Sequence, residues 1–480
     1  MSIIGREKEL KVLEKLYKSP EAEFLAVYGR RRIGKTFLIN EFFKDKGVYF
    51  ELTGSQEANL AQQLKNFAIV FGNQFREKPP TPKSWTDAFE LLKSTLEKLP
   101  GNQKIILFFD ELPWLASKRS GFLSVLDYYW NRYFSRNPKI LLIVCGSAAS
   151  WMIKKVIYNK GGLHGRLTAT IQLLPFDLGE TEKFLKARHV ELDRKQILEL
   201  YMAIGGVAKY LTYVKRGKSS AEIIQELCFE QGSPLSHEFY KLYTSLFTNY
   251  THHIQVVETL GKHKNGMTLI ALLQSTGLQS GGSSSMILQE LQESGFILYS
   301  QDFKKNKKNG TYRLIDEFSL FYLNWMKDFF ALNNLNKNYW LRIQSHASFI
   351  SWAGYAFEGI CLKYLSKIIH GLGLDIVASS ASSWSYLPKN KEEIGAQIDL
   401  VIHRTDGCIN LCEIKFCNEE FIIDKGYGAN LTYKKAQFRK ITKTKKSLFT
   451  TLITAYGTQE NSHYLSCVDN QLSMDVLFEK

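Results

Sequence analysis

Several kinds of feature are scarce in this sequence, and each scarcity excludes a class of protein. Seven cysteines in 480 residues, at 145, 228, 361, 408, 412, 417 and 467, are an odd number and thinly spread. They make no disulfide framework, and a reducing cytosol is the simplest setting for them. Apolar runs such as IILFF (105–109) and ILLIVC (140–145) are far shorter than the roughly 20 residues a bilayer demands. The start, MSIIGREKEL, carries charge within its first six residues and no apolar h-region, which argues against a signal peptide. The expectation is a soluble, cytoplasmic protein with no membrane partner. No repeat with a period of about 20–50 residues is visible, and low complexity is confined to short Ser/Gly and Lys/Asn tracts. His252 and His253 lack metal-ligand spacing, and no Gly-x-Ser-x-Gly elbow appears in a convincing context.

What is present is a folded composition, 45% hydrophobic and 23% charged, with room for several domains. Lys and Arg number 62 against 47 Asp and Glu, a net charge of +15. Such a balance suggests an anionic partner, nucleic acid ahead of a membrane surface, or serves solubility alone. Most of the excess lies in residues 1–230, which hold 36 basic and 25 acidic residues.

Those residues alternate helical stretches with short apolar runs: FLAVY (24–28), KGVYFEL (46–52), KIILFFDE (104–111), KILLIVCGS (139–147) and TIQLLPF (170–176). Runs without polar alternation predict strands buried on both faces, hence a parallel α/β sheet. Directly after the first run comes GRRRIGKT, Gly29 to Thr36, then the apolar helix FLINEFF (37–43). Strand, loop and helix are in the order a phosphate-binding loop requires. Gly29 and Gly34 let the backbone curl around an anion facing the helix N-terminus; Lys35 reaches the β- and γ-phosphates and Thr36 ligates Mg²⁺. Arg30, Arg31 and Arg32 are expected to face solvent or a partner.

IILFFDE then supplies Asp110 for Mg²⁺ and Glu111 to polarise an attacking water. Ser147, closing the next strand, is either a sensor of the γ-phosphate or an ordinary turn residue. Arg166, in GGLHGRLT (161–168), is either an arginine finger or a surface side chain. IGREKEL (4–10), GRRRIGKT, FFDE, CGS, LHGR and GGVAKYL (205–211) together resemble the AAA+-related STAND ATPases of the archaeal and bacterial MNS type, over roughly residues 1–230. That resemblance implies that Gly5 and Arg6 contact the nucleotide, and that a helical lid follows. Ala208 stands where the family usually has proline.

Further on, TLIALLQSTGL (268–278), a helix from Ser283 to Ser294, FILYS (296–300) and TYRLID (311–316) read as a winged helix. Its wing tip carries Lys304, Lys305, Lys307 and Lys308, with the turn at Asn309-Gly310. The recognition helix has no Lys or Arg and two acids, Glu290 and Glu293, which opposes base readout through it.

AQIDLVIHRTDGCINLCEIKF (396–416) predicts a hairpin turning at Thr405-Asp406-Gly407 with Gly407 left-handed, which sets Asp399 opposite Glu413. Lys415 shares their face. Two carboxylates and a lysine suit a Mg²⁺-dependent phosphodiesterase. The D-x₁₃-E-x-K spacing resembles the PD-(D/E)XK nuclease-like superfamily, with Ile398-Asp399 in place of Pro-Asp. That resemblance implies that Glu358, on a preceding helix, completes the metal site. A helix over 430–446 brings Lys434, Lys435, Arg439, Lys440, Lys443, Lys445 and Lys446 without an acid, a surface for DNA, with Lys434 and Gln437 facing the carboxylates or a phosphate backbone. The cysteines around this strand read as structural thiols.

The expected organisation is a P-loop ATPase domain with helical lid (1–235), a winged helix (236–335) and a restriction-endonuclease-like α/β domain (336–480). The catalytic candidates are Glu111, Asp399, Glu413 and Lys415. ATP and Mg²⁺ are the expected cofactors, with Thr36, Asp110, Glu358, Asp399 and Glu413 as metal ligands. The expected function is a STAND-type ATPase switch coupled to a nuclease-like domain acting on DNA, with a homo-oligomer in prospect. The alternative is an ATPase scaffold whose C-terminal domain only binds nucleic acid or protein.

Overall fold

In the computed structural model the first five apolar runs become one parallel sheet: β1 (Glu23–Tyr28), β2 (Val48–Thr53), β3 (Ile105–Asp110), β4 (Ile140–Gly146) and β5 (Ala169–Gln172), in the order β2-β3-β4-β1-β5. The structure describes residues 2–158, 165–247, 249–301, 303, 310–331, 338–344, 346–388 and 394–479. The chain divides into two compact units, Met1–Pro175 with Thr244–Thr248, and Phe176–Tyr243 with Asn249–Lys480.

In the first unit, successive strand residues feed two cores. Phe24, Phe50, Leu107 and Phe109 pack with Phe67, Trp85, Phe89 and Phe122 on one face. Leu25, Val27, Ile106, Phe108 and Leu141 pack with Leu13, Leu38, Ile39 and Phe43 on the other. Side chains alternate faces at every residue, so a strand covered on both sides is apolar throughout, the texture read from the sequence. β4 lies between β1 and β3, which brings the ends of the phosphate loop, the acidic pair and Ser147 to one edge. The run TIQLLPF is strand only to Gln172: Leu173 N–H bonds to Tyr28 O, and Pro175 has no N–H to extend the ladder.

The second unit opens with helices Leu178–Ala187, Arg194–Ile204, Ala208–Leu211 and Ser220–Cys228. A small antiparallel sheet follows, β6 (Met267–Thr268), β7 (Ile297–Ser300) and β8 (Thr311–Leu314), ordered β6-β8-β7. Between β6 and β7 lie helices Leu269–Thr276 and Gly282–Glu293. The helix expected from Ser283 begins at Gly282 within the Ser/Gly tract, where Gly281 N–H bonds to the Ser284 hydroxyl. Glu290 on that helix meets the His253 ring nitrogen Nε2 at 2.8 Å. The wing-tip residues Lys304, Lys305, Lys307, Lys308 and Asn309 lie outside the described residues.

Helix Ala347–Lys363 precedes a mixed sheet of β9 (Ala378–Tyr386), β10 (Ala396–Arg404), β11 (Cys408–Lys415), β12 (Ser447–Thr454) and β13 (Asn470–Ser473), ordered β13-β12-β11-β10-β9. β10 and β11 pair antiparallel from Leu400↔Cys412 to His403↔Ile409, with Gly407 at φ 80°: the anticipated register and turn. Helix Lys425–Thr442 connects β11 to the parallel β12. It ends where Lys443 turns left-handed (φ 52°), so Lys445 and Lys446 lie beyond it. All seven cysteines are free thiols. Among the described residues no helix is long and apolar enough to cross a membrane.

Candidate functional site

The phosphate-loop residues meet at the end of β1. Gly29 (φ 146°) has no room for a side chain: a Cβ there would stand 2.1 Å from Leu173 O. Gly34 (φ 94°) caps helix Lys35–Phe43, whose N-terminal N–H groups and dipole favour an anion. Lys35 is buried, and its Nζ donates to Gly29 O and Arg30 O, both at 2.9 Å. The ammonium thus lies folded onto the loop that a phosphate would share. Arg30 is buried, where solvent or a partner was expected; Arg31 reaches the Trp114 ring and Arg32 is exposed.

Asp110 is only 2% exposed. Its Oδ2 accepts the Thr36 hydroxyl at 2.7 Å, and its Oδ1 accepts the Glu111 N–H at 2.9 Å. Glu111 holds φ 46°, strained for a side chain bearing Cβ and typical of a functional position. Its Oε2 accepts the buried Ser147 hydroxyl at 2.8 Å. Thr36, Asp110, Glu111 and Ser147 therefore form one continuous hydrogen-bonded set. Gly5 (φ 66°) and Arg6 (φ 63°) make a left-handed turn from which buried Arg6 donates to Ile33 O at 3.3 Å, bracing the loop from behind. Arg166 is exposed.

The loop fits a nucleotide triphosphate with Mg²⁺: the glycine that tolerates no Cβ, the lysine at the loop's centre and the Thr36–Asp110 oxygens are the required donor set. Such a strand, loop and acid in a parallel sheet define a P-loop ATPase. Residues 3–214 match the family described as an ATPase domain predominantly from Archaea. An uncharacterized protein of Methanocaldococcus jannaschii is 24% identical over 377 residues, covering 76% of this chain and 77% of that protein. An uncharacterized ATP-binding protein of the same archaeon is 40% identical over 45 residues, 9% of this chain and 76% of that one. Among solved structures, the Walker-type ATPase of Pyrococcus abyssi is similar at 16% identity and a TM-score of 0.46, over 67% of this chain and 96% of its own.

The C-terminal carboxylates occupy the second unit. Asp399 sits where β10 shifts register against β9, between Ile398 and Val401; such a bulge re-aims a side chain. Its Oδ2 accepts the Ile414 N–H at 3.0 Å. Burial first, then the neighbouring Glu413 and Glu358, push its carboxyl up to about 7. Glu413 is 3% exposed; burial raises it against the pull of Lys434 and Lys415. Lys434 Nζ donates to Glu413 Oε2 at 2.6 Å, while Glu413 Oε1 is buried without a hydrogen-bond partner. Lys415 lies over the Tyr427 ring. Gln437 turns to the Tyr433 hydroxyl rather than to the carboxylates. Lys435 pairs with Asp469, and Arg439, Lys440 and Lys443 are exposed.

Asp399 and Glu413 fit a divalent cation by donor type and by the orphaned oxygen. The third member does not close on them: Glu358 Oε1 is taken by Arg313, and among the described residues no group of three or more His, Cys, Asp or Glu is placed to hold a metal. A cation from β8 thus occupies the helix carboxylate of the expected Glu358–Asp399–Glu413 set. Arg313 and Tyr427, whose buried hydroxyl faces the same carboxylates without a hydrogen-bond partner, were not singled out from the sequence. The only signal was a lone arginine in the apolar run TYRLID.

Proposed function

We propose that the chain is an ATP-hydrolysing switch of the STAND kind, whose ATPase controls a nuclease-like domain acting on DNA. The three parts are an ATPase with lid at 1–235, a winged helix at 236–335 and the nuclease-like domain at 336–480. The observation carrying the first half is the hydrogen-bonded set from Thr36 through Asp110 and Glu111 to Ser147. Gly29, Gly34 and Lys35 bind the phosphates, Thr36 and Asp110 would hold Mg²⁺, and Gly5 and Arg6 border the nucleotide. Mg²⁺, when bound, neutralises charge on the β- and γ-phosphate oxygens. Glu111 orients water. Ser147 holds one Glu111 oxygen until a γ-phosphate competes for its hydroxyl. Arg166, exposed, is free to act across a homo-oligomer. Glu111→Gln should retain ATP binding yet lose on the order of a hundredfold or more in turnover, read by nucleotide-binding fluorescence beside phosphate release.

For the second half, Asp399 and Glu413 would hold the metal, with Glu358 joining them, and Lys415 would position the attacking water. DNA would run over Lys434, Lys435, Arg439, Lys440, Lys443 and the wing lysines. Purified protein with Mg²⁺, ATP and plasmid should cleave, and Glu413→Ala and Lys415→Ala should abolish cleavage while ATPase persists. If no substrate is cut and Asp399→Ala changes nothing, the nuclease reading fails. A second reading, in which this domain only binds nucleic acid or protein, is favoured by the two cations seated on Glu358 and Glu413.

A further inference from the structure

Arg313 is held in an unusual way. It belongs to β8 of the small antiparallel sheet, whereas its partner Glu358 belongs to the helix preceding the carboxylate hairpin; their side chains are 9% and 17% exposed. Nη1 alone makes the contact. Nε and Nη2 are buried without an acceptor, the guanidinium lying against the Tyr355 ring at 4.5 Å. A purely structural arginine at such depth normally satisfies its fork of donors bidentately, and each buried donor left unpaired opposes the arrangement. The carboxylates it serves are also underserved: Glu413 Oε1 has no hydrogen-bond partner, and Asp399 lies close enough to Glu413 and Glu358 to feel both charges. Positive charge is thus supplied by Arg313, Lys434 and Lys415 to a cluster whose oxygens remain incompletely matched.

A few residues along, Glu317 and Lys363 make a second ion pair of reversed polarity, with Nζ to carboxylate distances of 2.7 and 3.0 Å. That pair has both carboxylate oxygens engaged. The segment from β8 into helix Glu317–Phe321 is therefore attached to helix Ala347–Lys363 by two ion pairs, one well satisfied and one poorly, and by the Tyr355 hydroxyl donating to Leu314 O at 3.5 Å.

We propose that Arg313 is a built-in cation plug for the carboxylate site, and that a divalent metal and the seated Arg313 exclude one another. With Arg313 on Glu358, the third carboxylate is withheld from Asp399 and Glu413. With Arg313 withdrawn, Glu358 is released to them. Strand β8, which carries Arg313, is then the element that opens or closes the site, while the Glu317–Lys363 pair keeps it tethered. This rests on the metal-site reading of the carboxylates given above, and its test separates the two.

Mn²⁺ binding to the full chain, measured by calorimetry and by the electron paramagnetic resonance of free Mn²⁺, is the readout. Arg313→Met should bind Mn²⁺ about tenfold or more tighter than the unsubstituted protein, within the usual range of coupling between linked sites, and Arg313→Lys should fall between. Asp399→Asn should remove binding from either background. Equal affinity in the unsubstituted protein and Arg313→Met overturns the plug and leaves the metal site standing. No Mn²⁺ binding in either overturns the metal site, and the plug with it. Because Arg313→Met leaves Glu358 buried beside two other carboxylates, hydrogen exchange on the unsubstituted protein supplies a second measurement. Saturating Mn²⁺ should speed exchange of the amides at 311–314, an effect absent in Asp399→Asn; unchanged exchange at saturation overturns the proposal.

Discussion

Replacing Lys35 by alanine is expected to abolish ATP turnover, by on the order of a hundredfold at the least, while the ATPase unit stays folded. The magnitude follows from removing one preorganised positive charge from a site where charge develops on the transferred phosphoryl group. Folding is expected to survive because position 35 begins a helix, where alanine is the best-tolerated residue. The Gly29 and Arg30 carbonyls that lose their donor lie in a loop that water reaches once the side chain is shortened. Their loss costs about 1–3 kcal/mol at most, a lowered midpoint rather than an unfolded domain. Phosphate release, with a melting curve on the same sample, checks both halves. Turnover equal to that of the unsubstituted protein would sink the phosphate-loop assignment, since no other lysine shares that loop.

The features legible in the sequence were those written locally. GRRRIGKT specifies its own turn, because Gly29 leaves no room for a Cβ and Gly34 adopts a backbone few other residues tolerate. IILFFDE carries its acids at the strand end that the parallel sheet brings beside that turn. Gly407 fixes the hairpin loop, and the loop fixes the register that sets Asp399 against Glu413; β-pairing has a period of two, so the turn decides the face. Strand order was not legible. That β4 separates β1 from β3, placing Ser147 within 2.8 Å of Glu111, depends on pairing between strands far apart in the chain.

Long-range ion pairs were equally hidden. Arg313 and Glu358 are 45 residues apart, with nothing in either neighbourhood that names the other. The basic side chains of helix Lys425–Thr442 show the converse failure: read as one basic surface, they include Lys434 and Lys435, committed to Glu413 and Asp469, and the exposed Arg439 and Lys440. Composition counts charges but does not say which are already paired.

Glu317→Ala should destabilise the second unit by roughly 3–5 kcal/mol, the cost of leaving one member of a buried ion pair uncompensated. The Glu317 and Lys363 side chains are 5% and 17% exposed. Burial raises the Glu317 carboxyl against the pull of Lys363; for Lys363, burial works to lower the ammonium and Glu317 outweighs it, leaving a net rise. Each charge is therefore maintained by the other. Gly205 (φ 63°) adjoins the pair: a Cβ there would come within 3.0 Å of Glu317 Oε2, so the helix Arg194–Ile204 ends against it. Replacing both partners by apolar residues, Glu317→Leu with Lys363→Met, should cost far less than Glu317→Ala alone, because neither charge is then stranded. Denaturant unfolding of the two single variants and the double closes the cycle. A loss under about 1 kcal/mol for Glu317→Ala would place the pair among solvated surface bridges. The same variants bear on Arg313: if Glu317–Lys363 is the tether, breaking it should loosen strand β8 and speed its amide exchange without added metal, whereas removing Arg313 should leave the tether's contribution to stability intact.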